Sequence, residues 1–131
     1  MVTRWADADF PIVATNDGVA YLDADWCVTV RLSVRVSVRS SAFVVPVGFS
    51  SDGASVPRAL WWLCGDPMER PRLYAALLHD WLYTTGVVSR AEADAIYYAM
   101  LRHFGYSPVD ASVNYLAVRL FGSRHYGRRA A

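Results

Sequence analysis

Between Pro71 and Thr84 the chain reads Arg-Leu-Tyr-Ala-Ala-Leu-Leu-His-Asp-Trp-Leu-Tyr, a helical stretch that is apolar around almost its whole circumference. A helix with so little wet surface has to lie inside a fold, so the remainder of this 131-residue chain must wrap it. At about 100° per residue, Arg72, His79 and Asp80 share one sector with Ala76 and Tyr83. That sector is either the helix's only solvent stripe or the wall of a polar site. Asp80 favours the second reading, because it lies near the helix C-terminus, where the macrodipole disfavours an anion and a compensating group is required.

The following segment brings a partner. Thr85-Gly86 breaks the helix, and Ser89-Arg90-Ala91-Glu92 is a capping box that starts another, running to Gly105. The short turn makes the two helices an antiparallel hairpin. His79 lies five residues before Thr84 and Asp94 five after Ser89, so they stand at similar heights, and His79, Asp80 and Asp94 are expected to converge. Ser107-Pro108-Val109-Asp110 begins a last helix that ends at Gly122, and Pro57 sits in the first turn of a short helix ending at Gly65.

The first half has a different period. Val28, Val30, Leu32, Val34, Val36 and Val38 alternate with polar residues, marking a long half-exposed strand or a strand pair, with arginines discouraging edge association. Ser40-Ser41 is a weak turn signal ahead of a strand from Ala42 to Val47. Asn16-Asp17-Gly18 is a strong turn between Ile12–Ala14 and Val19–Leu22. The chain is therefore expected to be one α+β domain: a small antiparallel sheet in the N-terminal half (about 10–50) packed against a C-terminal bundle of three to four helices (about 56–122). A basic tail, 123–131, carries Arg124, His125, Arg128 and Arg129 and reads as a solvated end.

Composition narrows the function. Hydrophobic residues make up 54% and charged residues 19%, which excludes a disordered chain. Thirteen arginines, with no lysine, nearly balance twelve acids, which argues against a nucleic-acid binder. Cys27 and Cys64 are too few for a disulfide framework and read as reduced core residues. The first residues do not form a signal peptide, and no stretch is long enough for a membrane span, so the product is expected to be made in the cytoplasm.

The segment Gly48 to Arg58 joins sheet to helices and is the natural place for a functional loop. Ser55 can cap the helix after Pro57, and the same loop can set Asp52 and Arg58 over the His79 sector. Asp52, His79 and Asp94 are then a candidate ligand set for a divalent metal such as zinc, with His79, Asp80 and Tyr83 as candidate catalytic groups for orienting or transferring protons. Ser55 and Arg58 would act as positioning residues. No His-Glu-x-x-His, Walker loop, Gly-x-Ser-x-Gly or cysteine–histidine pair accompanies them.

Phe-Val-Val-Pro-Val-Gly-Phe-Ser-Ser-Asp-Gly-Ala-Ser-Val-Pro-Arg over 43–58, then Ala75-Ala76-Leu77-Leu78-His79-Asp80-Trp81-Leu82-Tyr83, Ala93-Asp94 and Tyr115-Leu116-Ala117-Val118-Arg119-Leu120-Phe121-Gly122, resemble one family. It is a small domain of unknown function carried by phages and prophages, whose pattern is Val-Pro-x-Gly-Phe, Thr-Asp-x-Ala-Ser-Val-Pro-Arg, Ala-x-x-His-Asp-x-Leu-Tyr, Ala-Asp and Tyr-x-Ala-Val-Arg-x-x-Gly. The resemblance covers about 19–122; Ser51 replaces the usual threonine and keeps its hydroxyl. It implies a phage virion protein of the tail or tail-tip apparatus, contacting other tail proteins after synthesis in the host cytoplasm. The alternative expectation is a small metal-dependent hydrolase that cuts peptidoglycan during DNA entry.

Overall fold

The computed structural model describes residues 12–14, 20–34, 37–51, 57–66, 69 and 71–127, without the side chains of 12–14, 31–34, 37–40 and 58. Five strands precede four α-helices: β1 (Ile12–Ala14), β2 (Ala20–Leu22), β3 (Trp26–Val34), β4 (Ser37–Val45), β5 (Ser50–Ser51), α1 (Trp61–Cys64), α2 (Arg72–Thr85), α3 (Arg90–His103) and α4 (Pro108–Phe121). This is the expected α+β arrangement. The strands form two antiparallel sheets rather than one: β1-β2-β5, and the hairpin β3-β4.

The hairpin corrects the turn expected at Ser40-Ser41. Both serines lie within β4, opposite Arg31 and Val30, and the strand break falls between the paired residues Val34 and Ser37. Strict alternation continuing from Val28 to Val38 conceals that break, because hydrophobic period alone does not report a reversal of chain direction. Trp26, Val28 and Val30 are buried and pair with Val45, Phe43 and Ser41. This parity also corrects the placement of Cys27, which falls on the outer face of β3 and is exposed, whereas Cys64 is buried as expected. The turn expected at Asn16-Asp17-Gly18 lies outside the described residues, although β1 and β2 pair antiparallel on either side of it.

The helices follow their sequence signals. Gly86 closes α2 in the left-handed region (φ 65°), its N–H bonding to the Leu82 carbonyl. Ser89 and Ser107 cap α3 and α4, each accepting from the backbone N–H three residues on, Glu92 and Asp110. α2 is the central helix: Leu73, Ala75, Leu77, Leu78 and Leu82 are buried, with Trp81 edge-on to Phe43 of β4 at 6.0 Å. Ile96, Tyr97, Met100 and Leu101 of α3 and Ala111, Ala117 and Val118 of α4 complete the core.

The first part of the basic tail is docked rather than solvated. A short 3-10 turn, Gly122–Arg124, leads to Tyr126, whose hydroxyl donates to the Val88 carbonyl at 2.5 Å and whose ring meets Tyr83 edge-on at 5.3 Å. The Gly127 N–H donates to the Tyr83 carbonyl at 2.6 Å, satisfying one of the carbonyls left free at the end of α2. The arginines point this segment toward water; the tyrosine between them supplies the surface that packs against Tyr83. Residues 128–131 lie outside the described part.

Candidate functional site

The polar sector of α2 faces inward, so it is not a solvent stripe. His79 is 2% exposed and Asp94 is 0% exposed. His79 Nε2 lies 2.7 Å from Asp94 Oδ1, as the matching heights on the helix hairpin predict. The Tyr83 hydroxyl donates to the same oxygen at 2.6 Å, and Arg119 of α4 donates to Asp94 Oδ2 at 2.9 Å. One buried carboxylate thus collects donors from two other helices. The His79 ring lies tilted against Tyr83 and Tyr97, with centroids 4.1 and 4.9 Å away, which leaves the imidazole between two aromatic faces.

Charge follows from this geometry. Burial, the largest single influence on Asp94, pushes its carboxyl toward the neutral acid, but the hydrogen bonds from His79, Tyr83 and Arg119 together outweigh it and hold its pKa below the ordinary 3.8. Asp94 is therefore an anion, and His79 Nε2 donates its proton to it. Burial, reinforced by the Asp94 hydrogen bond and charge, drives the Tyr83 hydroxyl far above its ordinary range, so it remains a donor. Arg119 is raised by its hydrogen bond to Asp94.

Two residues that the sequence reading did not place at the site complete it. Arg90 Nε donates to the Tyr83 hydroxyl at 3.1 Å, and its Nη2 donates to the Val118 carbonyl at 2.8 Å and to the Arg119 carbonyl. Arg90 has a signal in the sequence: a cation in the first turn of α3 opposes that helix's dipole, and it is explained by the Val118 and Arg119 carbonyls in the last turn of α4. Arg119 carries no mark in the sequence beyond its charge. Asn114 is also buried; it donates to the Cys64 carbonyl and the Asp110 carbonyl, both at 2.9 Å, and accepts from Tyr97 at 3.3 Å. Its place on the inward face of α4 was its only mark in the sequence.

Asp80 goes elsewhere. It accepts from the Ser51 hydroxyl of β5, which anchors the β1-β2-β5 sheet to α2 and supplies part of the compensation expected for an anion near a helix C-terminus. Arg72, the third polar residue of the sector, is 5% exposed at the other end of α2. Its guanidinium stacks over Tyr106 at 4.5 Å, with the Asp110 and Glu69 carboxylates at 3.7 and 3.8 Å. Asp52 and Ser55 lie outside the described residues, as does the side chain of Arg58.

His79 and Asp94, the described part of the candidate metal set, are spent on each other. A zinc ion about 2.0–2.2 Å from both would hold the nitrogen and oxygen about 3.3 Å apart at a tetrahedral angle, whereas they stand at hydrogen-bond distance with the Arg119 cation on the far oxygen. Among the described residues no group of three or more His, Cys, Asp or Glu side chains is placed to hold a metal. No helix among them is long and apolar enough to cross a membrane.

The chain is similar to two proteins of Sinorhizobium fredii (strain NBRC 101917 / NGR234): uncharacterized protein y4jT, 32% identical over 78 residues, covering 60% of this chain and 23% of the relative, and uncharacterized protein y4iH, 32% identical over 74 residues, covering 56% of this chain and 31% of the relative. The chain therefore spans between about a quarter and a third of the length of these relatives. No solved structure matches. A family model, protein of unknown function (DUF1353), matches residues 26–118, a span that runs from the first residue of β3 into α4 and includes the whole Asp94 network except Arg119; the chain belongs to that family.

Proposed function

We propose that this protein is a phage virion component of the tail or tail-tip apparatus that works through protein contacts. The observation that carries the proposal is the closure of the Asp94 network. General acid–base chemistry needs a proton-carrying group within reach of a substrate. His79, Tyr83 and Asp94 are sealed in the interior and bonded to one another, and each donor has its acceptor. Such a cluster fixes α2, α3 and α4 in one arrangement and leaves the outer surface to do the binding. The phage context comes from the motif resemblance, and synthesis in the host cytoplasm followed by assembly with other tail proteins accords with it.

Mass spectrometry and imaging of purified particles test this. The protein is expected in particles at a constant ratio to the tail proteins; particles that lack it, from a stock that expresses it well, would sink the proposal. The competing reading, a metal-dependent hydrolase acting on peptidoglycan through Asp52, His79 and Asp94, makes an opposite prediction. It requires stoichiometric metal in protein purified without chelator, and a thermal midpoint that falls when chelator is added. The contact reading expects neither.

A further inference from the structure

The Asp94 network comes to the surface at Arg119. His79, Tyr83 and Asp94 are buried, whereas the Arg119 side chain is 35% exposed. Arg119 stands in the last turn of α4, three residues before Gly122, where the chain leaves the helix and crosses Tyr83. The crossing is close: Gly122 is buried, and a Cβ on it would stand 2.8 Å from the Tyr83 hydroxyl. Tyr126 then sets its ring edge-on against Tyr83, and the Gly127 N–H donates to the Tyr83 carbonyl. We infer that Gly122–Gly127 is a releasable strap, which seals the network while docked and opens His79, Tyr83 and Asp94 to solvent when it lifts.

Two properties make the strap releasable. Its hold is slight. Among the described residues, and beyond the packing of Gly122, it consists of the Gly127 bond to Tyr83, the Tyr126 hydroxyl on the Val88 carbonyl, and one half-buried ring; Ser123 and Arg124 are exposed. A segment with so few buried apolar contacts opens locally, at far less than the cost of unfolding the whole domain. Lifting it also strands no polar group in the interior. The Tyr83 and Val88 carbonyls lie near the end of α2 and in the turn after it, where water can replace the strap's donors. A minor state of this kind is populated at about 0.1–10%.

The two states differ in what the same residues can do. Docked, the donors and the carboxylate are bonded to one another and the cluster is scaffold. Lifted, the Tyr83 hydroxyl faces water with Arg90 Nε 3.1 Å from it, and behind it stands a histidine–carboxylate pair that can carry a proton. The strap is thus a switch on access to that pair. It goes beyond the tail-protein proposal, which needs only the docked state, and a strap that never lifts would leave that proposal standing.

Hydrogen exchange of the full chain, followed by nitrogen-15 NMR, tests it. The Gly127 N–H reports the strap and the His79 Nε2–H reports the network. In the wild type both are expected to exchange through one opening, with Gly127 protected about 10- to 1000-fold. Both should respond little to low urea, because lifting a short strap exposes little surface. The core amides of Leu77 and Met100 should exchange more slowly and follow the steep urea dependence of global unfolding. Tyr126→Phe removes the bond to Val88 and is expected to speed both reporters in parallel, about two- to tenfold. Tyr126→Ala removes the ring as well and should speed them further; should it fail to fold, Tyr126→Phe carries the comparison. A His79 Nε2–H that shares the slow, urea-steep exchange of Leu77 and Met100 would overturn the inference. So would variants that speed Gly127 and leave His79 unchanged.

Discussion

Replacing Asp94 with asparagine keeps the shape of the side chain and removes its charge. In the folded protein the carboxylate accepts from His79 at 2.7 Å, Tyr83 at 2.6 Å and Arg119 at 2.9 Å, with no exposure of its own. Asparagine has one oxygen to offer three donors, and its amide would face one of them donor to donor. Each charge-assisted hydrogen bond contributes about 1.5–3 kcal/mol, but the three share one acceptor and do not add. Arg119, 35% exposed, can turn to water, whereas His79 and Tyr83 cannot. Removing one partner of a buried ion pair costs about 3–5 kcal/mol, and we expect Asp94→Asn to fall in that range. For a domain of this size that is a drop of about 10–20 °C in the thermal midpoint. Urea denaturation followed by near-ultraviolet circular dichroism measures it. The pH dependence gives a second check. Because the folded pKa of Asp94 is depressed below the ordinary 3.8, its contribution is fully present above that value and is lost as pH falls through the lower, folded one. The gap between wild type and variant should therefore be wide at pH 7 and begin to close only as pH falls below about 4. A loss under about 1 kcal/mol, or a gap of equal width at both pH values, would refute the account of Asp94 as the ionised hub.

Other consequences follow from the same contacts. Tyr83→Phe removes one donor from Asp94 and the acceptor of Arg90 Nε, so it should cost about 1–3 kcal/mol in chemical denaturation; a neutral effect would mean that the hydroxyl has no structural task. Gly122→Ala introduces no backbone strain (φ −79°), but its Cβ would stand 2.8 Å from the Tyr83 hydroxyl. Tyr83 is held by Asp94 and Arg90 and cannot move aside, so a loss of about 1–3 kcal/mol is expected, and the combination with Tyr83→Phe should be less than additive. Ser89→Ala and Ser107→Ala each remove a cap from a different helix; each should cost about 1 kcal/mol, and the double variant their sum.

Local rules govern what was readable in advance. Capping serines, terminal glycines and an apolar run act within a few residues, so α2, α3 and α4 begin and end close to where their signals lie. The meeting of His79 with Asp94 was also legible, because a short turn between two helices fixes the height at which facing residues stand. The grouping of Asp80 with them was not. Asp80 follows His79 by one residue, which turns it about 100° around the helix toward β5 and Ser51. Arg90 and Arg119 were visible only as charges, since a long side chain reaches a partner set by the packing of three helices.

The sequence by itself determined an α+β architecture with a buried central helix and a polar sector on it, because helical period and the aversion of apolar surface to water are properties of the chain. Only the tertiary structure decided what that sector does. The four residues His79, Tyr83, Asp94 and Arg119 come from three helices, and whether they open to solvent or close on one another depends on how those helices pack. They close: the carboxylate is spent on internal donors, and the apolar residues left outside, on the far face of α4, are free to meet another molecule. Burial closed the His79 and Tyr83 part of the polar sector on Asp94, and packing on one side of α4 left the other side as surface.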